Sequence, residues 1–223
     1  MEKLFVGMGE ALWDLFPDGK QIGGAPANFA FHAGQLGFDS LCISAVGNDP
    51  EGDELVEVLR SKRLRHRLPR VEKPTGTVRV EIDAHGVPTY RIVEEVAWDH
   101  IPVTPQTDAL AARTSVFCFG TLAQRNPVSR EAIHRFLDRM PSGEGRLKVY
   151  DINLRQKFYD EATILRSLAK ADLMKLNDEE ALLLSRMLDL PNDPEGAARR
   201  LMARYGLAWV AITCGARGSY VFS

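Results

Sequence analysis

The feature that most constrains this chain is an alternation of two kinds of segment. From about residue 104, short apolar runs take turns with helix-length amphipathic stretches. Residues 115–119, 147–150, 173–176 and 209–213 read as strands. Residues 129–140, with Ser129 as cap, 161–169, 178–188 and 194–205, the last stopped by Gly206, read as helices. Strands joined by helices make a mostly parallel sheet covered on both faces, so the expected fold class is α/β. Such a sheet binds its ligand outside the carboxyl ends of its strands. Residues just after each strand are therefore where function is sought.

The first hundred residues follow the same plan with one interruption. Residues 4–7 and 11–17 read as strands, with a turn at Asp18-Gly19. A glycine-proline loop at 23–27 precedes a helix over 28–36 that stops at Gly37, then come a strand over 41–46 and a helix over 53–63. Gly47 to Gly52 reads as the start of that helix, capped by Asn48 or Asp49. Residues 77–83 then alternate, with Val78, Val80 and Ile82 on one side, and 89–94 runs back after the turn Ala84-His85-Gly86. That is an antiparallel hairpin with one apolar face, suited either to a lid over a cleft or to a plain sheet edge.

With 223 residues, 45% of them hydrophobic, the chain can build one substantial core, and a single domain over 1–223 is expected. A net charge of −2 gives no overall attraction to nucleic acid or an anionic membrane. The basic run Arg60, Lys62, Arg63, Arg65, Arg67 and Arg70 fits a solvated helix end and loop. Cys42, Cys118 and Cys214 are far apart among apolar neighbours, which fits reduced thiols in a cytoplasmic protein. The first residues lack the pattern of a signal peptide, and no apolar run is long enough to span a membrane. His32, His85 and His134 have no companions at metal-ligand spacing, and Ser44, Ser115 and Ser129 have no nucleophile-elbow context. No Gly-x-Gly-x-x-Gly follows the first strand, which disfavours a dinucleotide enzyme.

Five short motifs follow strands, and each has two readings. Asp14 interrupts an apolar strand; its carboxylate can accept from two adjacent hydroxyls, or simply face solvent. In Gly23-Gly24-Ala25-Pro26-Ala27-Asn28, missing Cβ atoms let a ligand approach the backbone, and Asn28 offers a donor and an acceptor; a tight turn also explains it. In Asp151-Ile152-Asn153-Leu154-Arg155, alternation puts Asp151, Asn153 and Arg155 on one side, where a guanidinium can meet phosphate oxygens or pair with the aspartate. Asn177-Asp178-Glu179-Glu180 is a capping box, and Asn177 with Glu180 can also orient water around a magnesium ion. Thr213-Cys214-Gly215-Ala216-Arg217-Gly218 is a glycine turn that can offer amides and a hydroxyl to a nucleotide, but it is no Walker loop.

In this order, with the hairpin between the second and third, the motifs resemble the PfkB-type (ribokinase-like) carbohydrate kinases along the whole chain. Gly9-Glu10-Ala11-Leu12-Trp13-Asp14 and Glu95-Val96-Ala97-Trp98-Asp99 are most similar to the fructokinase branch. The resemblance implies a parallel-sheet domain with a small β-lid, drawn from about 10–20 and 75–101, that closes on the sugar and pairs two subunits as a homodimer. It implies transfer of the ATP γ-phosphate to a primary sugar hydroxyl, with Mg²⁺. Carried over, Asp14, Gly23, Gly24 and Asn28 would hold the sugar, Tyr90 would cover it, and Arg155 would lie near the reaction centre. Asn177 and Glu180, the latter through water, would serve the metal and phosphates. Thr213, Gly215 and Gly218 would serve the nucleotide.

The family's Gly-Ala-Gly-Asp segment, which supplies the base, occurs nowhere in these 223 residues. The expectation is that it lies beyond Ser223 and that the chain is truncated, so no catalytic residue is assigned within it. Three functions follow: a fructokinase; a kinase for ribose or for 2-keto-3-deoxygluconate, whose acid group Arg91 could receive; or an incomplete fragment that only binds sugar.

Overall fold

The structure, a computed structural model, describes residues 3–82 and 88–223. The turn expected at Ala84-His85-Gly86 lies outside the described residues. In chain order the elements are β1 (Leu4–Met8), β2 (Leu12–Phe16), β3 (Gly19–Gly23), α1 (Ala25–Gln35), β4 (Asp39–Ile43), β5 (Val46–Gly47), α2 (Pro50–Ser61), β6 (Arg65–Arg67) and β7 (Arg70–Val71). There follow β8 (Thr77–Ile82), β9 (Pro88–Ile92), α3 (Pro105–Arg113), β10 (Thr114–Gly120), α4 (Pro127–Arg139), β11 (Leu147–Asp151), α5 (Glu161–Leu168), β12 (Leu173–Asn177), α6 (Asp178–Leu188), α7 (Pro194–Tyr205), β13 (Trp209–Thr213) and β14 (Ser219–Phe222).

The main sheet has eight strands in the order β14-β13-β12-β11-β10-β1-β4-β6. All neighbours are parallel except β13 and β14. From β1 the chain builds outward through β4 to β6, then returns to β10 on the other side and builds toward β14. The strand order therefore reverses between β1 and β10, and a crevice opens where loops leave in opposite directions. The α/β class and its parallel sheet are as the alternation predicts.

Several local readings are corrected. Gly19–Gly23, of which only Gly19 was expected in a turn and Gly23 in a loop, is a strand, because it pairs antiparallel with β2. Helix α1 starts at Ala25, ahead of the expected Asn28, since Pro26 needs no N–H partner in a first turn. Helix α3 was not expected; Thr104 caps it, and Ala111 is its one buried residue, so its pattern is weak. Helix α4 is capped by Asn126 rather than Ser129. Ser129 is buried, where its Oγ accepts from the Ile101 N–H and donates to the Trp98 carbonyl. Asp49 caps α2 as one of the two residues foreseen. The basic run ends α2 and then supplies β6, an edge strand of three residues whose exposed Arg65 and Arg67 keep that edge from pairing with another chain.

Helix α1 lies hard against β1. A Cβ on Gly7 would sit 2.0 Å from the Pro26 carbonyl oxygen, so only glycine admits the helix at this depth. That contact holds the first turn of α1 over the carboxyl end of β1.

A second sheet, in the order β3-β2-β8-β9, stands beside the first. On β2, Trp13 and Leu15 turn toward α1 and α2, where Trp13 joins a cluster with Ala27, Leu55 and Leu59. Leu12 and Asp14 turn the other way. The base of this sheet is clamped to the core. Of the stretch Glu95 to Asp99, expected on the lid, Val96 to Asp99 are buried below it and enter the turn Ala97–His100, while Glu95 stays exposed. Trp98 fills the space over Gly76, whose added Cβ would lie 2.4 Å from the indole. The buried Arg125 guanidinium donates to Asp99 through Nε at 2.7 Å and Nη2 at 2.8 Å, and to the Val93 carbonyl at 2.7 Å. It also stacks 4.0 Å from the Trp98 ring centre.

Removing one partner of a buried, bidentate pair leaves the other charge uncompensated, which costs about 3–5 kcal/mol. Asp99→Ala is therefore expected to lower the unfolding free energy by about that amount in urea denaturation. The exposed Lys170–Asp138 pair serves as control, and its loss should cost about 0–1 kcal/mol.

Candidate functional site

A pocket of ≈ 500 Å³ opens at the switch point between β1 and β10. Its floor comes from the carboxyl end of β1 and the first turn of α1, through Glu10, Gly24, Ala25 and Asn28. The second sheet supplies one wall with Leu12, Asp14, Val78, Tyr90 and Ile92, and the loops after β10 and β11 supply Leu122, Asn153 and Arg155. Asp14, Gly24, Asn28, Tyr90 and Arg155, scattered over 142 positions from 14 to 155, thus meet in one cavity.

The two glycines act differently from the expected close ligand approach. A Cβ on Gly23 would fall 2.1 Å from Asp14 Oδ2, so Gly23 makes room for that carboxylate across the β2–β3 pair and does not itself line the pocket. Gly24, at φ 111°, would bring a Cβ 2.1 Å from the Glu10 carbonyl oxygen, so it fits the chain between β1's exit and α1. Burial raises the Asp14 carboxyl above the ordinary range, and the Arg155 charge works against that rise. Arg91 lies on the face of β9 opposite Tyr90 and Ile92, directly across from Arg79, and is exposed. It does not line the pocket, which removes the reason for expecting an acid group there.

Glu10 is the site residue that the sequence did not single out. It is fully buried at the pocket floor, where the nearby backbone N–H groups of Glu10 and Ala25 favour its ionised form without offsetting burial. Oε2 has no partner. Burial, with the nearby Asp151 charge, pushes its pKa up to about 7. A lone glutamate between Gly9 and Ala11 shows nothing of this, since only the depth of α1 on β1 buries it.

The loop after β11 is tightly held. Asn153 and Gln156 adopt left-handed backbones at φ 43° and 49°. The Leu154 N–H donates to Glu180 Oε1 at 2.8 Å, and Gln156 Nε2 donates to the Tyr90 carbonyl at 2.5 Å. Arg155 is left facing the pocket, 4.0 Å from Glu180 Oε1. Asp151 does not pair with Arg155; its partner is Lys175, at 3.0 Å.

Further along the same carboxyl edge, Asn177 and Thr213 are register neighbours on β12 and β13. Asn177 and Glu180 form the expected capping box, each side chain taking the other's backbone N–H at 2.7 and 2.8 Å. Each Glu180 oxygen thus already accepts one backbone bond, which leaves it a lone pair for water but makes direct metal ligation a poor fit. No group of three or more metal-ligating side chains occurs among the described residues. Gly215 and Gly218 have φ 56° and 92°, and a Cβ on either would meet open space. Their turn therefore needs glycine for its backbone shape, and its outer side is free. These five residues lie beside the pocket and do not line it.

The sequence matches the pfkB family carbohydrate kinases over residues 18–223. This chain belongs to that family. Among relatives of this PfkB chain, a fructokinase of Klebsiella pneumoniae is 30% identical, over 97% of this chain and 72% of its own length. A sugar kinase of Pyrococcus horikoshii, described as uncharacterized, is 30% identical over 74% of this chain. The chain spans 55% of the length of that relative. The P. horikoshii structure in complex with ATP aligns at a TM-score of 0.77 and 25% identity, over 99% of this chain and 74% of that one. A Vibrio cholerae fructokinase, solved with fructose, ADP and calcium bound, aligns at 0.79 and 26%, over 100% and 74%.

The raised Glu10 pKa makes a stability prediction for this PfkB chain. The folded carboxyl keeps its proton to about 7, whereas the unfolded one releases it near 4.5. The contribution is therefore whole below about 4.5 and lost as pH rises through 7. Between pH 5 and 8 the native protein is expected to lose roughly 2–3 kcal/mol relative to Glu10→Gln, read from urea midpoints.

Proposed function

We propose that this chain carries the sugar site and the opening part of the nucleotide site of an ATP-dependent sugar kinase, with fructose as the favoured acceptor. The convergence of Asp14, Asn28 and Arg155 on one pocket at the switch point is the observation that carries this reading. Asp14 and Asn28 would bind the sugar hydroxyls, one as acceptor and the other as both donor and acceptor. Tyr90 would cover the sugar from the second sheet, which acts as the lid in this reading. Gly23 and Gly24 contribute by fitting Asp14 and α1 in place.

Transfer would form a bond between the primary hydroxyl oxygen and the γ-phosphorus, break the bond to the departing ADP oxygen, and shed the hydroxyl proton. Arg155 is placed to face the phosphoryl oxygens, where positioning and charge stabilisation do most of the work. Thr213, Gly215 and Gly218 would meet ATP along the adjoining edge, and Asn177 and Glu180 would hold waters of a magnesium ion. Bound Mg²⁺ would neutralise charge on the phosphates. The proton acceptor is not assigned, because Gly-Ala-Gly-Asp is absent from these residues and Asp14 is committed to binding.

The outward position of Arg91 disfavours 2-keto-3-deoxygluconate, and ribose stays behind fructose only on the similarity to fructokinases. The reading includes a homodimer through the outer face of the second sheet. Arg79 and Arg91 stand exposed and opposite each other there, so a partner subunit would have to bring acceptors to them.

Calorimetry on the purified chain with fructose, ribose and keto-deoxygluconate tests the pocket. Fructose is expected to bind, and Asn28→Ala is expected to weaken it by about tenfold or more without changing the fold. Binding of none of the three sugars would overturn the reading. Coupled ADP-release measurement on the same protein separates a kinase from a sugar-binding piece, the second reading, which predicts binding with no turnover.

A further inference from the structure

We infer that Glu10 is a direct acceptor for a hydroxyl of the bound sugar, a binding residue at the floor of the pocket. The inference rests on the sugar reading of that pocket and adds a residue to it. A buried polar atom is rarely left without a partner, since the unmade bond costs its full desolvation. Glu10 lines the pocket, is buried beneath it, and keeps Oε2 free of any donor among the described residues. Its neighbours cannot repair this. The N–H groups of Glu10 and Ala25 lie near the carboxyl and favour its ionised form, but neither bonds Oε2. Gly24 packs against the Glu10 backbone, not its carboxyl. The missing donor must enter through the pocket, and a polyol brings such donors.

The charged groups around Glu10 come from several elements. Asp14 on β2 faces the same pocket, and Asp151 at the end of β11 opposes ionisation of Glu10 while Arg155 favours it. Cys42 on β4 and Cys118 on β10 are buried thiols held neutral by burial and by these carboxylates. Lys175 on β12 is paired with Asp151. A hydroxyl donating to Oε2 favours the ionised carboxylate, because only that form has an acceptor to spare without a competing proton. Sugar binding should therefore lower the carboxyl's pKa from about 7, and at pH 7 expel its remaining proton.

Titration calorimetry of fructose binding in buffers of different ionisation enthalpy counts this proton. At pH 7 the native protein is expected to release roughly half a proton on binding, with affinity rising as pH increases through 7. In Glu10→Gln the release is expected to vanish and the pH profile to flatten, with affinity at pH 8 lower by about tenfold. Asp14→Asn, where any fructose affinity survives, should keep the release, which separates the two carboxyls. Should Glu10→Gln fold poorly, carboxyl carbon NMR of the native protein reads the same event, as a downward shift of the Glu10 midpoint with fructose. Fructose binding with no proton release and an unmoved midpoint would overturn the assignment while leaving the sugar site intact. So would an identical pH profile in Glu10→Gln, as expected if only water meets Oε2. No sugar binding at all would overturn both.

Discussion

The site depends on one steric fact: between β1 and the first turn of α1 there is no room for a side chain. Gly7 meets the Pro26 carbonyl on one strand, and Gly24 meets the Glu10 carbonyl where the chain turns back. Any Cβ at either place would lift the helix. With the helix down, Ala25 brings its N–H near the Glu10 carboxyl, Asn28 reaches the pocket floor, and Glu10 is buried. Backbone approach, a packing matter, thus decides the chemistry of a carboxyl and the placement of the helix that carries an expected sugar ligand.

A second set of contacts fixes the wall. Asp99, Arg125 and Trp98 grip the feet of the small sheet at Gly76 and Val93, so its strands leave the core from a rigid base. Gln156 ties the Arg155 loop to β9, while Leu154 ties the same loop to Glu180 at the start of α6. The loop after β11 is thereby a bridge between the pocket wall and the adjoining strand ends, built from two left-handed residues that only such fixed surroundings would hold.

Much of this was legible where the code is local. The capping box at Asn177 and Glu180, the helix over 178–188, and the glycine stop at Gly206 follow from short-range hydrogen bonding and were read correctly. So was the antiparallel β8–β9 hairpin, whose first strand shows period-two alternation. What escaped depends on distant partners. Gly19–Gly23 carries a single large apolar residue, Ile22, and becomes a strand only because β2 lies beside it. Ser129 has a cap's chemistry but spends it on Trp98 and Ile101. Trp98 and Asp99 looked like lid residues until Arg125, from a loop with no distinctive pattern, buried them. At the site, Asp14 stood out as a carboxylate interrupting an apolar strand, and Asn28 and Arg155 as members of short motifs, whereas Glu10 matters only through burial, which no spacing encodes.

The sheet half from β11 to β14 has unequal faces. Tyr150, Met174 and Val210 are buried on one, whereas Val149, Leu173, Trp209 and Val221 are partly or largely exposed on the other. Trp209 and Val221 are 48% and 68% exposed, and no strand among the described residues pairs with the outer edge of β14. An apolar face meeting an open edge is adhesive in two directions, by stacking and by strand addition.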